Sequence, residues 1–160
     1  MSQGTVYLTK KRLAELEEDL RHLRLNARKE VAERIAEARS HGDLSENAEY
    51  DAAKEEQSHL EMKISKLENL LSRVKVLENH EIPDGKVSIL SIVKVLDVSY
   101  NEEVTFNMVS PEEADFEQDK ISITSPIGQA LLGKAVNEVI VVEAQEGRSE
   151  YKILEISKQS

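Results

Sequence analysis

Two leucine-rich stripes flank one glycine-containing break, and this arrangement restricts the first half of the chain to very few folds. Leu13, Leu16, Leu20, Leu23 and Ala27 keep the three-then-four spacing of a coiled-coil seam. From there the steps lengthen to four through Val31 and Ile35, and the side chains shrink toward Ala38. A stutter of this kind locally unwinds a supercoil. Neither Pro nor Gly occurs between Thr9, a fitting N-cap, and His41, so residues 9–40 read as one helix that Gly42 stops. Ala53, Leu60, Ile64, Leu67, Leu71 and Val74 form the second stripe, on a helix expected over residues 45–76. Two long helices joined by a few residues fold back as antiparallel neighbours. About 30 residues at 1.5 Å rise gives arms of roughly 45–50 Å. The seam is leucine-rich at the base and alanine-rich at the turn, so the tip is slim.

Past the hairpin the period changes. Asn79 to Gly85 is rich in turn formers and reads as a linker. Val87–Ile89, Ser91–Val98, Glu103–Val109, Val139–Val142 and Glu150–Ile156 read as strands. Ser125 to Gly133 reads as a short helix with Pro126 at its first position and Gly133 at its stop. The expected class is α+β: a helical hairpin over 1–78 with its tip at 41–50, a linker over 79–85, and a small sheet domain with one helix over 86–160.

Composition narrows the function. Of the 160 residues, 32% are charged and 4% aromatic, which argues against one large core. The net charge is −10: residues 1–80 carry 14 Lys and Arg against 16 Asp and Glu, and residues 81–160 carry 7 against 15. A protein that wraps nucleic acid needs a basic excess to displace counterions. The acidic second half suits a basic protein surface, or simply solubility. No apolar run approaches the ~18 residues of a membrane span, and no basic-then-apolar leader opens the sequence. Without cysteine there are no disulfide staples or thiolate metal sites, which suits a reducing cytoplasm.

The chemistry concentrates at the turn. Asp43 and Glu46 lie three residues apart, so their carboxylates can lie on one side and share a divalent ion. Asp43-x-x-Glu46 is also a capping box, and spacing alone favours that reading. Against it, six acidic residues and one basic occur from Asp43 to Glu56, a crowding that opposes folding. Arg39 and Lys54 flank the tip. They could grip a nucleic-acid backbone, or more simply neutralise Glu37, Asp51 or Glu55. His41 suits a helix C-terminus. Tyr50 could stack on a base or cover the alanine seam. No nucleophile elbow or Gly-rich phosphate loop occurs.

The run from Ala36 to Gln57, with His41-Gly42-Asp43-Leu44-Ser45-Glu46-Asn47-Ala48-Glu49-Tyr50 at its centre, resembles the hairpin-tip signature of the bacterial Gre transcript cleavage factors. Glu113-Ala114-Asp115-Phe116, Ile121-Ser122 and the stretch from Ser125 to Lys134 resemble their C-terminal domain, and the likeness spans essentially the whole chain. The resemblance implies a coiled-coil hairpin followed by an FKBP-like domain. It implies a factor without a catalytic site or cofactor of its own, which enters the secondary channel of RNA polymerase as a monomer. There Asp43 and Glu46 would help hold the second Mg²⁺ of the polymerase and its water, so that backtracked RNA is cut. Arg39 and Lys54 would face the nascent RNA, and Asn47 and Tyr50 its 3′ end. Ser125, Pro126 and Ile127 would belong to the polymerase-docking region. Family members often have Arg where Lys54 stands, which implies a weaker grip there. Residues 1–42 mix 9 basic with 7 acidic residues rather than massing them, so the chain is most like the GreA branch. The tip lacks the aspartate crowding of inhibitory homologues. Two other readings are a prolyl isomerase, on the FKBP-like fold alone, and a purely structural coiled-coil adaptor.

Overall fold

A computed structural model of the chain describes residues 3–43 and 47–160. They divide into two units: residues 13–73, and residues 1–12 together with 74–160.

The first unit is the helical hairpin. Helix α1 spans Lys10–His22, α2 spans Arg28–Ser40, and α3 spans Ala48–Ser72. Between α1 and α2, Leu23–Ala27 forms one π-helical turn rather than the continuous α-helix expected over 9–40. This turn sits where the apolar spacing changes from three-and-four to four. The wider turn takes up an extra residue and keeps Val31 and Ile35 aimed at the opposite arm. Leu20, Val31, Ile35, Ala53, Leu60 and Ile64 form the buried seam, with Leu23, Ala27, Tyr50, Leu67 and Leu71 packed against it. Outside the seam, Arg–Glu pairs tie the arms together: Arg24 to Glu68 at 2.9 Å, Arg28 to Glu61 at 2.7 Å, and Arg34 to Glu56. As numbers rise on one arm they fall on the other, as an antiparallel register requires.

The second unit holds a five-stranded mixed sheet in the order β5-β4-β3-β7-β6. Its strands are β3 (Ser91–Asp97), β4 (Glu102–Val109), β5 (Lys120–Ser122), β6 (Val139–Ala144) and β7 (Gly147–Lys158). All pairs are antiparallel except β4 with β5, which a longer crossing connection joins in parallel. Val93, Val95, Met108 and Ile153 point to the covered face, where Leu131 of helix α4 (Pro126–Leu131) completes the core. All five are fully buried. The α+β class expected from the sequence, a hairpin with a small sheet domain carrying one short helix, is the class observed.

Several boundaries differ from expectation. The second helix ends at Ser72, and Val74–Val76 is strand β2, paired in parallel with β1 at Val6–Leu8. Val6 and Leu8 are buried, and the Tyr7 N–H donates to Ser110 Oγ at 3.0 Å, so the N-terminus joins the sheet unit. The expected linker over 79–85 is likewise anchored. Ile82 is 2% exposed, and Lys158 Nζ donates to Asn79 O at 3.0 Å and meets Asp84 at 2.9 Å. Turn-forming composition hid a segment held by one apolar plug and one lysine. Val87–Ile89 is not a strand. Val87 is nonetheless buried, giving its N–H to Lys134 O and accepting from Gly133 N–H.

Candidate functional site

Helix α2 ends where Gly42 enters the left-handed region at φ +108°, which a side chain would oppose. The His41 N–H reaches Ala38 O at 3.2 Å and the Gly42 N–H reaches Arg39 O at 3.3 Å, closing the last turn. His41 Nδ1 lies 2.8 Å from Glu49 Oε2, a further link between the arms beyond the Arg–Glu pairs. Asp43 follows immediately and is exposed. Glu46, its expected companion, lies outside the described residues, as do Leu44 and Ser45.

The expected capping box is not what starts α3. The helix begins at Ala48, and its N-cap is Asn47, in extended conformation, whose Oδ1 accepts the Tyr50 N–H at 3.1 Å. The other end of the same amide crosses the hairpin: Nδ2 donates to Ala38 O at 2.6 Å. The expected start at Ser45 placed the cap too early because Ser, Glu and Asn are all plausible near a helix start. Where the backbone leaves extended geometry decides among them.

The other tip residues fall into place around this amide. Tyr50 is half-buried against the seam, and the Arg39 guanidinium lies 5.9 Å above its ring. Lys54 is held to its own helix, with Nζ 3.0 Å from Gln57 Oε1. Neither Arg39 nor Lys54 forms an ion pair with Glu37, Asp51 or Glu55 among the described residues. The structure therefore brings together Arg39, Asn47 and Tyr50 and leaves Lys54 to a separate contact.

Among the described residues no group of three or more His, Asp or Glu side chains converges. Of the expected pair only Asp43 lies among the described residues, and Mg²⁺ commonly takes one or two carboxylates from a protein while keeping waters and other ligands.

In the sheet unit, Ser125 caps α4, accepting from the Gly128 N–H at 3.1 Å and donating to Ser122 O at 2.7 Å. Pro126 is exposed at the first helical position, and Ile127 packs on the core. Gly128 is required by proximity: a Cβ there would lie 2.0 Å from Ser122 O. The four aromatic residues of this half do not build a pocket. Phe106 and Tyr151 meet edge-on at 6.0 Å against the core, whereas Tyr100 and Phe116 are 75% and 84% exposed. This disfavours a prolyl-isomerase site, which needs an apolar, aromatic cleft. No helix among the described residues is long and apolar enough to cross a membrane.

Residues 6–76 match the family model described as transcription elongation factor, N-terminal, and residues 82–158 match that of transcription elongation factor, GreA/GreB, C-term. The chain is 49% identical over 156 residues to the transcription elongation factor GreA of Chloroherpeton thalassium, covering 98% of each. It is 51% identical over 153 residues to that of Thermoanaerobacter pseudethanolicus, covering 96% of this chain and 98% of the relative. The crystal structure of GreA factor homolog 1 of Thermus thermophilus is 31% identical, with 96% and 99% of the two chains covered and a TM-score of 0.44. The two family matches account for both the hairpin and the sheet domain, and the chain belongs to the GreA/GreB family of bacterial transcription elongation factors.

Proposed function

We propose that this elongation factor binds bacterial RNA polymerase and stimulates cleavage of backtracked nascent RNA by the polymerase's own active site. The sheet domain docks through the turn at Ser125, Pro126 and Ile127. The hairpin carries Asp43 and Glu46 into the secondary channel, where their carboxylates add to the ligands of a polymerase-held Mg²⁺ and orient its water. Arg39 and Lys54 offer positive charge to the RNA backbone. One copy acts on one polymerase, and the chain contributes no separate catalytic centre.

The observation that carries this reading is the exposed Asp43 at the tip of the hairpin. Asn47 caps α3 and also reaches the end of α2, and Asp43, just past that end, is exposed. An exposed carboxylate at the end of a slim hairpin suits delivery to a cation elsewhere. Helix α3, 25 residues long, spans roughly 37 Å at 1.5 Å per residue and supplies the reach.

The test is a transcript-cleavage assay on a backtracked elongation complex. Asp43→Ala and Glu46→Ala are expected to bind polymerase with near-unchanged affinity and to lose most of the stimulated cleavage. Raised Mg²⁺ should restore part of it. A double variant that stimulates cleavage as well as the wild type would leave only the adaptor reading.

A further inference from the structure

Asn47 is half-buried and uses both ends of one side chain on two different helices. Its Oδ1 takes the Tyr50 N–H, one of the unpaired donors that every helix start leaves. Its Nδ2 gives to Ala38 O, in the last turn of α2, nine residues back along the chain. Both partners are themselves anchored: Ala38 is 3% exposed in the seam, and Tyr50 packs on the same seam beneath Arg39. Turning the amide over would set donor against donor and acceptor against acceptor, so the network fixes its orientation.

We propose that Asn47 is the positioning residue of the tip. It clasps the end of α2 to the start of α3, fixes the two points between which the segment bearing Asp43 runs, and does not itself read the RNA. The inference rests on the carboxylate-delivery reading and replaces an RNA 3′-end contact for Asn47 with a structural one. Only an amide does both jobs from this place. Asp, Ser or Thr could accept the Tyr50 N–H as a cap. A carboxylate has no proton for Ala38 O and would repel it, and a hydroxyl is too short to span both partners. Holding a reacting group in place is worth large factors in rate, so a clasp broken on one side should be felt in turnover rather than in binding.

The discriminating substitution is Asn47→Asp, which keeps the cap and removes the cross-hairpin donor. The chain has no cysteine, so spin labels at Glu37→Cys and Asp51→Cys report the separation of the helix ends without competing sites. In the full chain, Asn47→Asp is expected to broaden the interspin distance distribution while amide-exchange protection at Tyr50 stays near wild type. Asn47→Ala is expected to lose both. With polymerase, Asn47→Asp should lower cleavage at saturating factor about tenfold with little change in the half-saturating concentration. An unchanged distance distribution overturns the clasp. A broadened one with wild-type cleavage, where Asp43→Ala is defective, overturns the positioning role. If Asp43→Ala itself cleaves normally, the carboxylate reading fails instead, and the clasp stands or falls on the distance distribution alone.

Discussion

Arg12 grips Glu113 with two parallel bonds, Nε to Oε1 at 2.5 Å and Nη2 to Oε2 at 3.2 Å. The pair joins the first turn of α1 to the short 3₁₀ turn Pro111–Glu113 that follows β4, linking residues 101 apart. The Glu113 side chain is only 9% exposed and that of Arg12 30%, so this pair is far less hydrated than the Arg–Glu links of the hairpin.

Arg12→Ala should therefore destabilise the sheet unit by about 1–3 kcal/mol, chiefly because Glu113 is left poorly hydrated and without its fork. Arg12→Lys should recover only part of this, since an ammonium cannot reproduce the two-pronged geometry. Urea unfolding followed by the combined emission of the four tyrosines measures both. Equal midpoints for wild type and Arg12→Ala would show the pair to be energetically idle.

Gly128→Ala should be costly although Ala is ordinarily the better helix former. The added methyl would meet Ser122 O at 2.0 Å, and that carbonyl already accepts from Ser125 Oγ and the Ser125 N–H. The backbone must separate, at about 1–3 kcal/mol. The expected outcome is a lower thermal midpoint; the proposed docking through Ser125 and Pro126 further predicts weakened polymerase binding, since both lie on the displaced turn.

In the hairpin, Ile64 is 1% exposed and Leu25 is 61% exposed, although both are large and aliphatic. Ile64→Ala should cost about 2–5 kcal/mol through lost burial and the cavity left behind. Leu25→Ala should change stability by less than about 0.5 kcal/mol. Far-UV ellipticity against temperature separates the two. Similar losses would mean that the seam does not run as described.

Acid should loosen the hairpin. Hydrogen bonding from Arg28 holds the Glu61 carboxyl below its ordinary range, and Arg21 does the same to Glu18 within α1. A depressed carboxylate pKa stabilises the fold above the unfolded value, and that contribution is lost as pH falls through the folded one. Helicity should therefore be flat near neutrality and decline below roughly pH 4. Glu61→Gln should flatten part of this decline, and salt should shrink the difference because the pair is exposed. A decline of unchanged steepness in Glu61→Gln would locate the acid sensitivity elsewhere.

Much of the molecule is legible in the linear pattern. The leucine spacing specifies two antiparallel helices because a 3.6-residue period admits one buried stripe and no alternative use for it. Gly42 marks the stop, since its φ of +108° excludes most side chains, whereas the change of step past Ala27 reads as a stutter in one continuous helix and does not announce the π-turn at Leu23–Ala27. Ser125-Pro126 announces α4 through local capping chemistry alone. These features depend on neighbours a few residues apart, which is the range over which sequence acts directly.

The tertiary structure decided what depends on distant partners. Strands β1 and β2 are three residues each and pair across 68 positions, with no period long enough to announce them. Ile82 turns an apparent linker into an anchored segment only because the folded sheet unit buries it. At the tip the linear pattern pointed to Asp43 as the cap of the second helix, and Asn47 stood out only through the family resemblance. Ala38 O, approaching from the opposite arm, selects the side chain that can accept on one side and donate on the other. That choice belongs to the folded hairpin, because the second half of the amide's hydrogen bonding exists only once the two helices lie side by side.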